Sequence, residues 1–201
     1  MAFIETVHPD DSEGEVRAMF ERQQRSWGFV PNYAKVFCHR PEVLARWGRL
    51  LAEIRRPMDD RRFELATFVA AHELKNTACA LEHGKQLGRF IGRDTVVALG
   101  RGEGGAELSQ ADQSIASYAR KIARDASSVS QEDIDDLRSH GLSDAEIFDI
   151  AAAAAGRAFF TKLLDALGVQ PDSKARQLDD AFRTPLTVGR PISEAPVDVM
   201  K

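Results

Sequence analysis

Asn76-Thr77-Ala78-Cys79-Ala80-Leu81-Glu82-His83-Gly84, with Glu64 fifteen residues before the cysteine, is the stretch on which this chain turns. It holds one of only two cysteines and places a histidine four residues after it. On a helix, positions four apart share a face, so thiol and imidazole point into one space. A thiol, a base and a carboxylate that orients the base are the parts of an activated nucleophile.

Each of the three residues admits a second reading. Asn76 or Thr77 caps the helix, which puts Cys79 near its first turn. Free N–H groups and the positive end of the helix dipole stabilise a thiolate there, so Cys79 is expected to titrate below an ordinary thiol. The alternative is a small apolar core residue, a common fate of free cysteine. His83 is either the base for that thiol or a surface histidine. Glu64 stands among Phe63, Leu65, Ala66 and Phe68. A carboxylate on such a face needs a partner, which is either His83 or a neighbouring Arg61 or Lys75. A metal site made from Cys79, His83, Glu64 and His72 is a third possibility. No Cys-x-x-Cys or His-x-x-x-His spacing supports it, and no metal or cofactor is expected.

Composition narrows the classes of function. The chain has 201 residues, 43% hydrophobic and 29% charged, as a globular protein with a sizeable core requires. A net charge of -4 argues against nucleic-acid binding. No apolar run is long enough to span a bilayer, and Met1-Ala2-Phe3-Ile4-Glu5 lacks a basic region leading into an apolar stretch. The expected setting is therefore cytoplasmic, with no membrane partner. Two cysteines make no disulfide framework.

Working outward, helix signals fill the chain. Ser12 reads as a cap for a helix through Val16, Met19 and Phe20, ended by Gly28. A turn at Val30-Pro31-Asn32 leads to a short segment with Tyr33, Val36 and Phe37. Pro41 opens a helix through Trp47 and Ile54 that Pro57 stops. Asp59 or Asp60 caps the next, which is apolar around most of its circumference and so expected to be buried. Gly92 ends the Cys79 helix, and a short helix over 95–99 runs into the glycine-rich loop 100–105. That loop has no preceding strand and no P-loop lysine, so it reads as a turn. Ser109 caps another helix. Ser130 with Asp133, and Ser143 with Glu146, read as capping boxes, the second opening a long helix closed by Gly168. From Pro171 the chain is polar and proline-spaced, with a short helix near 174–182 and an extended arm over 184–201. Strand alternation is absent, so the fold class is all-α. Residues 1–170 form one helical domain and 171–201 a C-terminal extension or arm. Pro57-Met58-Asp59-Asp60 and Gly141-Leu142-Ser143-Asp144 each precede an apolar helix, which hints at two related helical halves, with the chemistry kept in the first.

Glu64, the capped helix start and Cys79-x-x-x-His83-Gly84 resemble the alkylhydroperoxidase D-like branch of the carboxymuconolactone decarboxylase superfamily. Gly28-Phe29-Val30-Pro31-Asn32 and Arg40-Pro41-Glu42-Val43-Leu44 upstream, and Leu142-Ser143-Asp144-Ala145-Glu146-Ile147 and Ala166-Leu167-Gly168-Val169 downstream, extend the resemblance over residues 12–169. It implies an alkylhydroperoxidase D-like helical fold and a homo-oligomer, as trimer, dimer or hexamer. It implies thiol-dependent peroxide reduction through a relay of Glu64, Cys79 and His83. The family's first cysteine falls at Asn76, so the motif has one thiol. Cys38 is the other candidate for a second thiol, and otherwise an external thiol reductant is needed. Asn76 would then cap the helix and donate to the thiolate or the small-molecule substrate. The departure also raises two alternatives: acid–base chemistry on a small acidic lactone, as in the decarboxylase branch, or a non-enzymatic ligand-binding scaffold.

Overall fold

Nine consecutive residues of one helix, Phe63 to Ala71, are buried, and the rest of the molecule is arranged around them. The computed structural model describes residues 2–103 and 108–201. Among the described residues ten α-helices follow one another: α1 Gly14–Trp27, α2 Asn32–Val36, α3 Pro41–Arg55, α4 Asp60–Glu73, α5 Thr77–Ile91, α6 Arg93–Gly100, α7 Gln110–Asp125, α8 Gln131–Ser139, α9 Asp144–Ala166 and α10 Asp180–Leu186. Among the described residues there is no strand, only an isolated antiparallel bridge between Val30 and Asp198. No helix there is long and apolar enough to cross a membrane.

The central helix is α4, packed against α5, α7 and α9. Its start is set by Asp59, whose carboxylate accepts from the Arg62 N–H at 3.0 Å. The start of α9 is set by a reciprocal capping box between Ser143 and Glu146. The two starts are tied by an Arg62–Glu146 ion pair, so the two apolar helices enter the core side by side. The helix-ending glycines act through their backbone at Gly28 (φ +78°), Gly92 (φ +83°) and Gly168 (φ +73°).

Buried apolar side chains form two clusters. One holds Phe63, Phe68, Leu81, Leu87, Ile115 and Ile150; the other holds Met19, Phe20, Phe37, Trp47, Phe160 and Leu164. Helix α9 contributes to the first through its N-terminal half and to the second through its C-terminal half. Helices α4 and α5 also reach from one to the other, with Ala71 and Cys79 in the second cluster. The seam between the clusters is where the polar residues of interest lie.

Several boundaries differ from the sequence reading. Ser12 does not cap α1; its hydroxyl donates back to the Pro9 carbonyl at 2.6 Å and closes a 3₁₀ turn over Pro9–Asp11. The helix expected over 95–99 begins at Arg93. The short helix near 174–182 is two pieces, a 3₁₀ turn over Ser173–Gln177 and then α10, because Asp179 caps a new start through the Ala181 N–H. Of the glycine-rich loop, residues 104 and 105 lie outside the described residues.

The chain after Pro171 lies on the helical body. Phe182 and Leu186 are buried in the first cluster and Met200 in the second. Gly189 sits against the turn before α5, its N–H donating to the Thr77 hydroxyl at 2.9 Å. A Cβ at position 189 would fall 1.8 Å from the Lys75 carbonyl oxygen, so this approach admits only glycine.

Candidate active site

Helix α5 begins where Asn76 takes an extended conformation and its side-chain oxygen accepts from the Cys79 N–H at 3.0 Å. That contact makes Asn76 the N-cap and Cys79 the third helical residue. The Asn76 amide donates to Asp165 at 3.0 Å, so it is not turned toward the thiol or an open site. A neighbouring cavity of about 20 Å³, lined by Asn76, Thr77, Ala78, Asp165 and Arg190 among others, has room for one water.

Cys79 is 6% exposed and packs in the second apolar cluster. Burial pushes its thiol upward, against the expectation of a thiol poised below its ordinary range. The apolar surroundings penalise the anion, and the Cys79 N–H is already spent on the Asn76 cap. The opposing influence comes from Arg157 on α9, whose Nη1 donates to the Cys79 sulfur at 3.6 Å.

One turn along α5, His83 meets Glu64 of α4. The Nδ1 to Oε2 separation is 2.7 Å, so the carboxylate accepts the Nδ1 proton and leaves Nε2 as the basic atom of a neutral ring. Glu64 is 3% exposed, and its second oxygen lies 3.8 Å from the Arg55 guanidinium of α3. Arg55 in turn lies over the Phe63 ring and pairs with Asp60 at 2.8 Å. Glu64 therefore takes the partner His83 rather than Arg61, which binds Asp112 at 2.6 Å. Burial pushes the His83 imidazole down; Arg157 adds to this, and Glu64 opposes it.

The structure thus joins Glu64 to His83 directly, and joins Cys79 to Arg157. Cys38, in the 3₁₀ turn Phe37–His39, is partly buried against the same cluster as Cys79, and both cysteines are free thiols. His72 lies elsewhere, in a larger cavity of about 380 Å³ with Gly100, Arg101, Arg120 and Arg124. Among the described residues, no three His, Cys, Asp or Glu side chains converge as a metal-binding set.

Arg157 is the residue that sequence reasoning missed. Its signal was present: it is the only charged residue between Asp149 and Lys162 in an otherwise small and apolar run. A lone cation on the buried stripe of a helix needs a local anion.

No protein-family model matches the sequence, and no curated protein matches it. Solved structures do. The alkylhydroperoxidase AhpD core of an uncharacterized peroxidase-related protein from Ralstonia eutropha JMP134 is similar with a TM-score of 0.74 at 18% identity, over 94% of this chain and 98% of that one. An uncharacterized peroxidase-related protein from Silicibacter sp. TM1040 is similar with a TM-score of 0.69 at 21% identity, over 86% and 93%. The debrominase Bmp8 in its apo form is similar with a TM-score of 0.70 at 16% identity, over 90% and 96%. A further structure of that debrominase is of an alanine variant in complex with 2,3,4-tribromopyrrole. The fold of this chain is the alkylhydroperoxidase D-like helical fold.

Proposed function

We propose that this alkylhydroperoxidase D-like fold carries a thiol-dependent peroxide reductase with one active-site cysteine. The observation that supports it is the pairing on α5: a sulfur bonded to a buried guanidinium, one turn from an imidazole whose proton is fixed by Glu64. Cys79 is the nucleophile, His83 the proton carrier and Glu64 the group that orients it.

In the first step His83 takes the thiol proton, and the sulfur attacks the terminal oxygen of a hydroperoxide. The S–O bond forms as the O–O bond breaks, leaving a sulfenic acid on Cys79. The departing alkoxide takes the proton back from His83 as an alcohol. With asparagine at position 76, an external thiol reductant completes the cycle. One thiol condenses with the sulfenic acid, releasing water and forming a mixed disulfide. A second thiol releases Cys79.

The test is trapping. After brief treatment with hydrogen peroxide or an alkyl hydroperoxide, dimedone should label Cys79, and Cys79→Ser should lose the label. Labelling confined to Cys38, or none between pH 6 and 9, overturns the reading. The single thiol also favours a second reading, acid–base chemistry by Glu64 and His83 on a small acidic lactone. There Cys79→Ser keeps turnover and His83→Gln loses it.

We also propose self-association through the outer face of α9. Phe148 is 71% exposed and Phe159 48% exposed on that face, flanking small residues that let another helix approach closely. Phe148→Glu should lower the mass measured by light scattering, and a monomeric parent protein rules it out.

A further inference from the structure

Three charged residues are buried among the described residues: Glu64, Asp112 and Arg157. Glu64 has His83 and Arg55, and Asp112 has Arg61 and the Ser109 hydroxyl. Among the described residues Arg157, 4% exposed, has no carboxylate partner. Its Nη1 is spent on the Cys79 sulfur, and its Nε is buried with no hydrogen-bond partner. The Phe160 ring, 5.7 Å from the guanidinium carbon, offers a cation–π contact but no counter-charge. A guanidinium does not shed its proton in a protein, so a buried one calls for an anion.

We infer that Arg157 is a catalytic residue of the Cys79 site: through Nη1 it holds the sulfur as a thiolate and so supplies the counter-ion for a charged nucleophile inside an apolar cluster. The inference deepens the peroxide-reductase reading and rests on its assignment of Cys79 as the nucleophile.

Arg157 also acts on the neighbouring pair. It pulls the thiol toward its charged form and pushes His83 toward its neutral form. The other groups felt by the sulfur are Asp165 of α9 and Glu82 of α5, both raising the thiol, and Tyr33 of α2 is close enough for thiolate and phenol to oppose each other's ionisation. Burial also opposes the thiolate, which leaves Arg157 as the group that favours it.

The experiment reads alkylation of Cys79 in a Cys38→Ser background, where an S–C bond forms and iodide leaves. The rate with neutral iodoacetamide, followed from pH 6 to 10, gives the thiolate fraction. Arg157→Met should move the midpoint upward and slow the reaction at pH 7 by about tenfold or more, the scale of a hydrogen bond to a charged group. Arg157→Gln, which keeps a donor without the charge, should move it in the same direction. An unchanged or lower midpoint in a folded variant overturns the thiolate role. Because alkylation needs no peroxide, an Arg157-dependent thiolate without peroxide turnover leaves this inference standing and sinks the peroxidase.

Discussion

Two polar pairs lie one helical turn apart on α5, and they are built in opposite ways. Glu64–His83 is a closed set: each group has a partner, Arg55 backs the carboxylate, and the imidazole proton has one place to be. Cys79–Arg157 is open: a thiol that burial discourages from ionising faces a cation with no carboxylate of its own. A closed pair fixes geometry, and an open pair waits for charge. The arrangement matches a site that positions a base permanently and completes its electrostatics only when the sulfur becomes anionic.

The largest effect should come from breaking the closed pair. Glu64→Gln removes the carboxylate that holds the His83 proton on Nδ1. The reaction should slow by about a hundredfold or more, the usual worth of a positioned base. The measurement is the second-order rate of peroxide consumption with an excess of external thiol. Unchanged turnover would show that the pair is structural. A smaller effect is expected from the tail side. Gly189→Ala places a methyl against the Lys75 carbonyl, so the segment over the start of α5 must lift. Thermal unfolding should register a loss of about 1–3 kcal/mol, as overpacked sites do. Alkylation of Cys79 should accelerate while the Glu64–His83 side is undisturbed. A variant as stable as its parent would mean that the tail is not held there.

Much of this was legible in the sequence because capping and burial are local. Asn76, Asp59, Ser109 and the two capping boxes stand where spacing placed them. The buried α4 followed from its apolar circumference. The direction of the Cys79 shift was not legible. The helix start favours a thiolate, while the desolvation that outweighs it comes from packing with residues far along the chain, such as Phe160 and Leu164. Arg157 is separated from Cys79 by 78 residues of chain. Its isolation in an apolar run marks it as unusual, but only the tertiary fold says which group it meets. The tail was harder still, because an extended polar segment gives no periodic signal, and its seat depends on one glycine against one carbonyl.

The smallest effect is on stability against pH, and it tests whether Arg157 couples the two pairs. Burial holds the folded-state pKa of His83 below its ordinary value. An unfolded chain therefore binds a proton near pH 6.5 that the folded protein refuses. Stability from this group is whole above that value and is lost as pH falls through the window down to the folded-state pKa. His72, lowered by burial and by Arg120, contributes in the same direction. Asp172 works the other way. Burial raises it to about 6, so the folded protein keeps a proton that the unfolded chain releases, and stability is lost as pH rises toward that value. Urea unfolding at pH 5.5 and pH 8 should show a smaller acid-side loss in His83→Gln than in the parent, and a larger one in Asp172→Asn. Arg157→Met should also reduce the loss, because the guanidinium is second only to burial in holding His83 neutral. If His83→Gln reduces the loss and Arg157→Met does not, the two pairs on α5 are electrostatically independent, and the open pair answers to Cys79 alone.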